Sequence, residues 1–112
     1  MKKKIAFKNG GKIRMIDPDT IIYIKCVERK CLLVLDNETY TYNSLAKNLI
    51  EILPVEFVRT QKSYIANLNR IEYMTRYNMC FDNGKIIPIG KTYIKDIYAK
   101  LNIGNVISNV IE

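Results

Sequence analysis

The chain has 112 residues, 48% of them hydrophobic, and its 18 basic and 11 acidic residues give a formal net charge of +7. This length supports one core, so we expect a single domain over residues 1–112, and the charge predicts a polyanionic partner. The chain contains no histidine, the commonest general base and metal ligand, and we therefore expect no enzyme, no metal site and no cofactor.

The N-terminal part of the chain has the pattern of an antiparallel hairpin. Residues 5–7 and 13–16 are apolar stretches that flank Asn-Gly-Gly at 9–11, a turn signal that joins antiparallel strands. Asp-Pro-Asp at 17–19 predicts a second turn. The three lysines at 2–4 precede the hairpin, and we expect residues 1–4 to form a basic tail.

The next segment predicts a strand, a tight turn and a second strand. Residues 20–26 form a β-branched run that is too apolar for an edge strand, so we expect a central one. The apolar pattern breaks at 27–30 and resumes at 31–35. The break predicts a hairpin tip from which Arg29 and Lys30 project.

A third strand and a short helix follow. Residues 39–42 alternate with a period of two and predict a strand with one aromatic face. Asn43 or Ser44 is a suitable N-cap for a helix that ends before Pro54. The apolar stripe of this helix is expected to consist of Leu45, Leu49 and Ile52.

Residues 57–71 combine apolar alternation with unpaired polar and basic side chains. Two short extended pieces would leave Arg59, Gln61 and Lys62 at the bend between them, facing water. Asn67 is expected to have a structural role. The residues expected to enter the core are Phe57, Val58, Tyr64, Ile65, Leu68 and Ile71.

The C-terminal part predicts further strands and a final helix. Residues 71–77 and 79–82 are strand-like, and Asp-Asn-Gly at 82–84 predicts a hairpin turn into 85–89. Residues after Pro88 have helical spacing from Lys91 to Leu101, with Tyr93, Ile94, Ile97, Tyr98 and Leu101 on the apolar face. The pattern leaves the tail at 102–112 unassigned. The predicted class is mainly antiparallel β with two short helices.

The cellular setting is predicted from apolar runs and cysteines. No apolar run approaches the length of a membrane span and no secretory signal is present, so we expect a cytoplasmic protein without membrane contact. Cys26, Cys31 and Cys80 are odd in number and form no Cys-x-x-Cys pair, which disfavours a disulfide framework and a zinc site. We interpret them as small buried hydrophobes.

Cations on the predicted loops indicate nucleic-acid binding. Lysine and arginine replace counterions on phosphates, and guanidinium and amide groups reach base edges. Asn69 adds an amide close to the predicted bend. The candidate DNA-binding residues are Arg29, Lys30, Arg59, Gln61, Lys62 and Lys91.

Two alternatives to duplex binding follow from the same residues. Eight tyrosines would suit a module that stacks bases of single-stranded nucleic acid or RNA, although most of them lie on apolar faces and are expected to pack there. A protein-interaction domain whose basic face binds an acidic partner is the other alternative.

Several short motifs follow one another along most of the chain. They are Asp19-Thr20-Ile21-Ile22-Tyr23-Ile24, Asn43-Ser44-Leu45, Leu53-Pro54, a Phe-x-Arg-x-x-x-Ser-Tyr-Ile-x-Asn signature that starts at Phe57 and ends at Asn67 with Ile71 behind it, Asn83-Gly84, and Ile87-Pro88-Ile89-Gly90-Lys91-x-Tyr93. In this order and spacing they resemble the LytTR type of bacterial DNA-binding domain.

The resemblance implies an elongated stack of small antiparallel sheets whose loops read DNA in successive major grooves. The residues that would read bases are Arg29 with Lys30, Gln61 with Lys62, and Lys91. Lys62 and Lys91 stand where the family commonly has side chains that pair with bases by planar groups, so the preferred base sequence is not carried over.

The resemblance also implies partners besides double-stranded DNA. Such domains usually follow a receiver domain in a bacterial response regulator of a two-component system. This chain would then be either a fragment of such a regulator or a stand-alone regulator of transcription. A second copy of the domain would bind beside it on adjacent DNA repeats.

Overall fold

The computed structural model describes residues 3–101, and this part of the chain forms ten strands in three antiparallel sheets with two short helices. The molecule measures 51 × 31 × 23 Å. The predicted class, a mainly β, elongated stack of small antiparallel sheets, is confirmed. The start of the predicted basic tail, at residues 1 and 2, and the tail at 102–112 lie outside the described residues. Neither helix within residues 3–101 has the length and apolar character of a membrane span.

The first sheet is the predicted hairpin of β1 (Ile5–Asn9) and β2 (Lys12–Ile16). Its turn contains Gly10 at φ +65°, a conformation in which glycine avoids the steric cost of a side chain. Phe7 is fully buried, and its ring centroid lies 5.0 Å from that of Tyr42 in the neighbouring sheet. The hairpin therefore covers the aromatic face predicted for residues 39–42.

The second sheet has five strands, in the order β5 (Thr39–Asn43), β4 (Lys30–Leu35), β3 (Ile21–Val27), β7 (Tyr64–Asn67) and β6 (Phe57–Gln61). The predicted central strand is confirmed, because β3 lies in the middle and pairs with β4 on one side and β7 on the other.

The third sheet has the order β10-β9-β8 and consists of β8 (Ile71–Met74), β9 (Asn78–Phe81) and β10 (Ile86–Pro88). The predicted turn at 82–84 is present, and Gly84 has φ +85°. The chain then forms one 3₁₀ turn, Lys91–Tyr93, before α2 (Ile94–Leu101). The predicted last helix is confirmed, with Ile97 as its fully buried residue.

Two apolar clusters lie on opposite faces of the five-stranded sheet. One cluster, under the β1–β2 hairpin and helix α1 (Ala46–Ile52), includes Ile24, Leu33 and Ile65. The other, under the third sheet and α2, includes Val58 and Ala66. The alternation of residues along each strand thus distributes side chains between two cores. Of the residues expected to enter the core from 57–71, Phe57, Val58 and Ile65 are buried, while Tyr64, Leu68 and Ile71 are partly buried against the second cluster.

Helix α1 (Ala46–Ile52) differs from its prediction in its start and in its apolar stripe. Neither predicted cap functions as one, because Asn43 belongs to β5 and the Ser44 hydroxyl donates to the carbonyl of Leu45. The helix begins only after Leu45; within it Leu49 is the buried residue, and Leu53, which follows its last turn, is buried as well. Ile52 is 50% exposed, so its predicted core position is wrong.

Asn67 joins three parts of the fold and is structural, as predicted. Its side chain is fully buried, and Nδ2 donates to the carbonyl oxygens of Ile21 at 2.9 Å and Pro18 at 3.3 Å. Its Oδ1 accepts a hydrogen bond from the backbone of Asn69. A buried amide with these partners anchors β7 to the turn before β3.

Arg70 connects two turns that are distant in sequence. Its guanidinium donates to both carboxylate oxygens of Asp82, at 2.7 and 2.9 Å, and to Asp36 at 2.6 Å. It also donates to the carbonyl of Asp19. These charge-assisted bonds hold the third sheet against one end of the second sheet.

All three cysteines are buried, as predicted, but Cys26 and Cys31 form a disulfide. The expectation that no disulfide forms is wrong for this pair. Cys26 on β3 lies directly opposite Cys31 on β4, with 4.1 Å between their Cα atoms. An odd number of cysteines carries no information about a contact made by strand register, and Cys80 is the free thiol.

Candidate nucleic-acid interface

Three loops that carry the predicted cations lie next to one another at one end of the five-stranded sheet. The first is the tip between β3 and β4, the second the turn between β6 and β7, and the third the connection from β10 to α2. Each carries an exposed cation, namely Arg29, Lys62 and Lys91 respectively. We call Arg29, Lys30, Gln61, Lys62 and Lys91 the loop row.

Backbone hydrogen bonds connect these loops in sequence. Ser63 accepts from the N–H of Cys26 at 2.7 Å, which connects the second loop to the strand beneath the first. Thr60 accepts from the N–H of Gly90 at 2.7 Å, which connects the second loop to the third. The N–H of Ser44 donates to the carbonyl of Arg29 and ties the first tip to the start of α1. The predicted loop residues are therefore brought together by the fold.

The first tip is a two-residue turn. Val27 and Lys30 pair across it, which leaves Glu28 and Arg29 as its central residues. Glu28 has φ +56°, in the region where a two-residue hairpin turn normally places glycine, aspartate or asparagine. The tip therefore presents Arg29 on a strained backbone.

The second turn follows a β-bulge. The pairing of β6 with β7 shifts register between Arg59 and Gln61, so Thr60 has no opposite residue. A bulge next to a turn redirects the strand that leads into it. Lys62 is exposed, as predicted, but Gln61 is half-buried rather than fully facing water.

Arg59 lies in β6, and its guanidinium is engaged within the protein. Nη2 donates to the carbonyl of Lys62, and the guanidinium carbon lies 6.0 Å from the ring centroid of Tyr93. The side chain is half-buried, and among the described residues its Nε has no hydrogen-bond partner. Arg59 thus contacts both the second turn and Tyr93, which lies in the 3₁₀ turn that begins at Lys91.

The third loop approaches the second closely at Gly90. A Cβ atom at this position would lie 3.1 Å from Cδ2 of Tyr93 and 3.6 Å from Cγ of Gln61. Gly90 has φ −78°, which any residue adopts, so glycine is favoured here by the limited space beside Tyr93 and Gln61 and not by its backbone conformation. Lys91 follows as the first residue of the 3₁₀ turn and is exposed.

A groove of about 310 Å³ separates the first tip from the second turn. Its lining includes Cys26, Glu28, Lys47, Arg59 and Lys62. Three of these side chains are cations and one is acidic, so the groove has an excess of positive charge and suits phosphate groups.

Two cations beside this surface were not predicted from the sequence. Lys47, in the first turn of α1, lines the groove. Lys25 is an exposed residue of β3, with Nζ 5.8 Å from the ring centroid of Tyr64. An exposed lysine within an apolar strand is a signal that could have identified Lys25.

Most tyrosines pack against the two clusters, as predicted. Tyr40 and Tyr42 pack against the first cluster, and Tyr64 and Tyr93 against the second. Tyr73 and Tyr77 are 53% and 46% exposed, and they lie within and after β8 rather than on the loop row. The loop row therefore combines exposed cations with a glutamine, and its closest rings are partly buried.

The described residues contain no cluster of side chains that could hold a metal ion. The groups that the loop row offers are ammonium, guanidinium and carboxamide. Such groups neutralise phosphates and donate hydrogen bonds to base edges.

The chain is similar to known proteins over most of its length. The family model described as the LytTr DNA-binding domain matches residues 11–102. The sensory transduction protein LytT of Bacillus cereus is 29% identical over 106 residues, which are 89% of this chain and 43% of that protein. LytT of Bacillus subtilis is 26% identical over 89% of this chain and 44% of its own length. The chain thus spans less than half the length of these relatives.

A solved structure has the same fold. It is a LytTr DNA-binding domain from Bacillus cereus, with a TM-score of 0.76 and 20% sequence identity, and the match covers 90% of this chain and 98% of the solved one. The stack of three small sheets is therefore shared with that domain.

Proposed function

The chain belongs to the LytTr DNA-binding domain family, and on this basis we propose that it binds double-stranded DNA sequence-specifically and regulates transcription through the loop row. The observation that carries the proposal is the backbone-bonded arrangement of three cationic loops at one end of the sheet. In this arrangement the loops enter successive major grooves, and no recognition helix is needed.

The side chains of the loop row would have two different roles, reading bases and neutralising phosphates. Arg29 and Gln61 have planar groups that pair with base edges, guanine for arginine and adenine for glutamine. Lys30, Lys62 and Lys91 are point charges that neutralise phosphates or bind a single base acceptor. This division favours strong salt dependence with sequence preference concentrated on the first two loops.

Arg59 was predicted as a DNA contact and has a second candidate role. Its hydrogen bond to Lys62 and its position over Tyr93 support a role in holding the second and third loops together. Direct contact of its guanidinium with DNA stays a prediction.

The larger assembly is also a proposal. As the family resemblance implies, this domain would function with a receiver domain in a response regulator, and LytT of Bacillus cereus, of which the match covers 43%, is a sensory transduction protein. Two copies bound to adjacent repeats would place their half-sites about one helical turn apart.

The experiment is fluorescence anisotropy with labelled duplexes over a salt series. Neutralising about five phosphates predicts a slope of log K against log salt of roughly −4 to −5. Unlabelled single-stranded DNA and RNA serve as competitors. Displacement by single strands at lower concentration than by duplex would favour the single-strand or RNA alternative, and failure on every nucleic acid would favour an acidic protein partner.

A further inference from the structure

We propose that Cys26 and Cys31 are a reversible thiol–disulfide modification site that sets the affinity of the loop row for DNA. The inference rests on the proposed function, because its readout is binding to a duplex. The two residues lie opposite one another on β3 and β4 in the described structure, where they are bonded as a disulfide.

The disulfide closes the base of the first DNA-contacting tip. The ring that it forms encloses residues 27–30, and the adjacent pair beyond it is Val27 with Lys30. Arg29 is therefore within three residues of both cysteines along the chain. A bond or its absence at this position changes how firmly the strained turn at Glu28 is held.

Access to the pair is provided by the groove of about 310 Å³. Cys26 and Cys31 are 4% and 0% exposed, but Cys26 forms part of the groove lining beside Lys62 and Ser63. A peroxide or a small dithiol entering the groove therefore reaches Cys26 before Cys31. Cys80, the third cysteine, is buried in β9 of a different sheet.

The sulfur atoms adjoin the backbone bonds that position the loops. Cys31 Sγ lies 3.2 Å from the carbonyl oxygen of Ser44, a distance at which a thiol donates a hydrogen bond and a disulfide sulfur, having no hydrogen, does not. Ser44 in turn donates from its backbone to Arg29. On the other side, Cys26 donates from its backbone to Ser63, in the second turn. The change at sulfur is thus next to two loops of the row.

A hydroperoxide is the oxidant that converts the two thiols into the disulfide. The thiolate of Cys26 attacks one peroxide oxygen, the O–O bond breaks, and the sulfur becomes a sulfenic acid with release of water when hydrogen peroxide is used. The Cys31 sulfur then displaces the sulfenic oxygen, which leaves as a second water with the remaining protons. Two electrons pass from the two sulfurs to the peroxide, and a dithiol returns them by thiol–disulfide exchange.

The oxidised form is the tighter DNA binder. The cross-link holds Arg29 and Lys30 in the arrangement described, so less conformational freedom is lost on binding than when the tip is open. Reduction is expected to weaken duplex binding by about two- to tenfold, the range that corresponds to ordering one or two side chains.

The test uses the 112-residue chain treated either with hydrogen peroxide or with dithiothreitol. Alkylation and mass spectrometry count free thiols, and anisotropy measures duplex binding by the same samples. The expected result is loss of two thiols, at Cys26 and Cys31, with tighter binding after peroxide and reversal by dithiothreitol. The Cys80→Ala variant should still bind duplex more tightly after peroxide. The Cys31→Ala variant should bind with the affinity of the reduced chain, and neither reagent should change that affinity.

The two proposals fail in different ways. Equal duplex affinity in both redox states, or oxidation that requires Cys80, would overturn this inference and leave the proposed function standing. Absence of duplex binding in both states would overturn both. The comparison of the unsubstituted chain in two redox states needs no variant to fold.

Discussion

The backbone N–H of Gly90 donates to the carbonyl of Thr60 over 2.7 Å, and this one bond joins the loop of Lys62 to the loop of Lys91. Thr60 is the bulged residue of β6 and is fully buried, so its carbonyl has little access to water. The two loops therefore form one unit, and their spacing is set before DNA is bound.

This bond can be removed at Gly90 without a change of φ. Gly90→Pro keeps the φ of −78° but lacks the N–H donor. Gly90→Ala is the matched control, since it adds the same Cβ near Tyr93 and retains the donor. We expect the proline variant to be less stable than the alanine variant by about 1 to 3 kcal/mol in urea unfolding. Equal stability of the two would show that the bond contributes nothing.

The exposed lysines should affect binding and not folding. Replacement of Lys62 or Lys91 by alanine is expected to weaken specific duplex binding by about 1 to 3 kcal/mol. The melting temperature should stay nearly unchanged, because both side chains are exposed. Anisotropy and thermal unfolding measured on the same samples give both values. A variant that unfolds would identify the lysine as structural.

The salt dependence distinguishes the two roles open to Arg59. If its guanidinium binds a phosphate, Arg59→Ala would reduce the salt slope by about 1. A positioning role predicts weaker specific binding with an unchanged slope, because Arg59 bonds to Lys62 within the protein. Arg59→Lys is the control that retains the charge but loses the planar group. The positioning role predicts that it also loses specificity over random duplex, and full rescue by lysine would contradict that role.

Glu28 provides a separate test of the strained tip. Glu28→Gly removes the cost of a positive φ and should stabilise the fold by about 1 kcal/mol, whereas Glu28→Ala removes only the charge and keeps the cost. Both variants should bind duplex DNA more tightly at low salt because a carboxylate is lost beside the cations. Chemical unfolding compares the two, and equal stability would contradict the strain at this position.

Two ion pairs, Arg70 with Asp82 and Arg14 with Glu38, make the stability of the fold depend on pH. The hydrogen bond from Arg70 lowers the pKa of Asp82, and that from Arg14 lowers the pKa of Glu38. A carboxylate with a lowered folded pKa contributes stability above its unfolded pKa of about 4, and the contribution is lost as the pH falls through the folded value. The melting temperature should therefore decline below about pH 4.

Asp82→Asn is the control for this decline. Its melting temperature at neutral pH should be lower than that of the unsubstituted chain, because Arg70 loses a charged partner. Its decline on acidification should be shallower, with the Glu38 contribution remaining. An identical pH profile in both proteins would show that the Asp82 carboxylate has no effect on folding.

Local patterns were sufficient to predict most of the fold. Alternation, turn residues and the spacing around Lys91 predicted the three hairpins and the last helix because those signals act between near neighbours. The start of α1 was missed since Ser44 bonds elsewhere, and the Cys26–Cys31 bond was missed because it depends on strand register. The internal contacts of Arg59 required tertiary information, since Tyr93 is distant from it in the sequence.

The most direct test of sequence-specific duplex binding is selection of bound sequences from a random duplex pool. The loop row predicts enrichment of a short consensus, repeated about one helical turn apart where two copies bind. The consensus should change when Gln61 or Arg29 is replaced by alanine, since these side chains are proposed to read bases. A pool that stays random after repeated rounds, or a consensus unaffected by both replacements, would contradict DNA reading by the loop row.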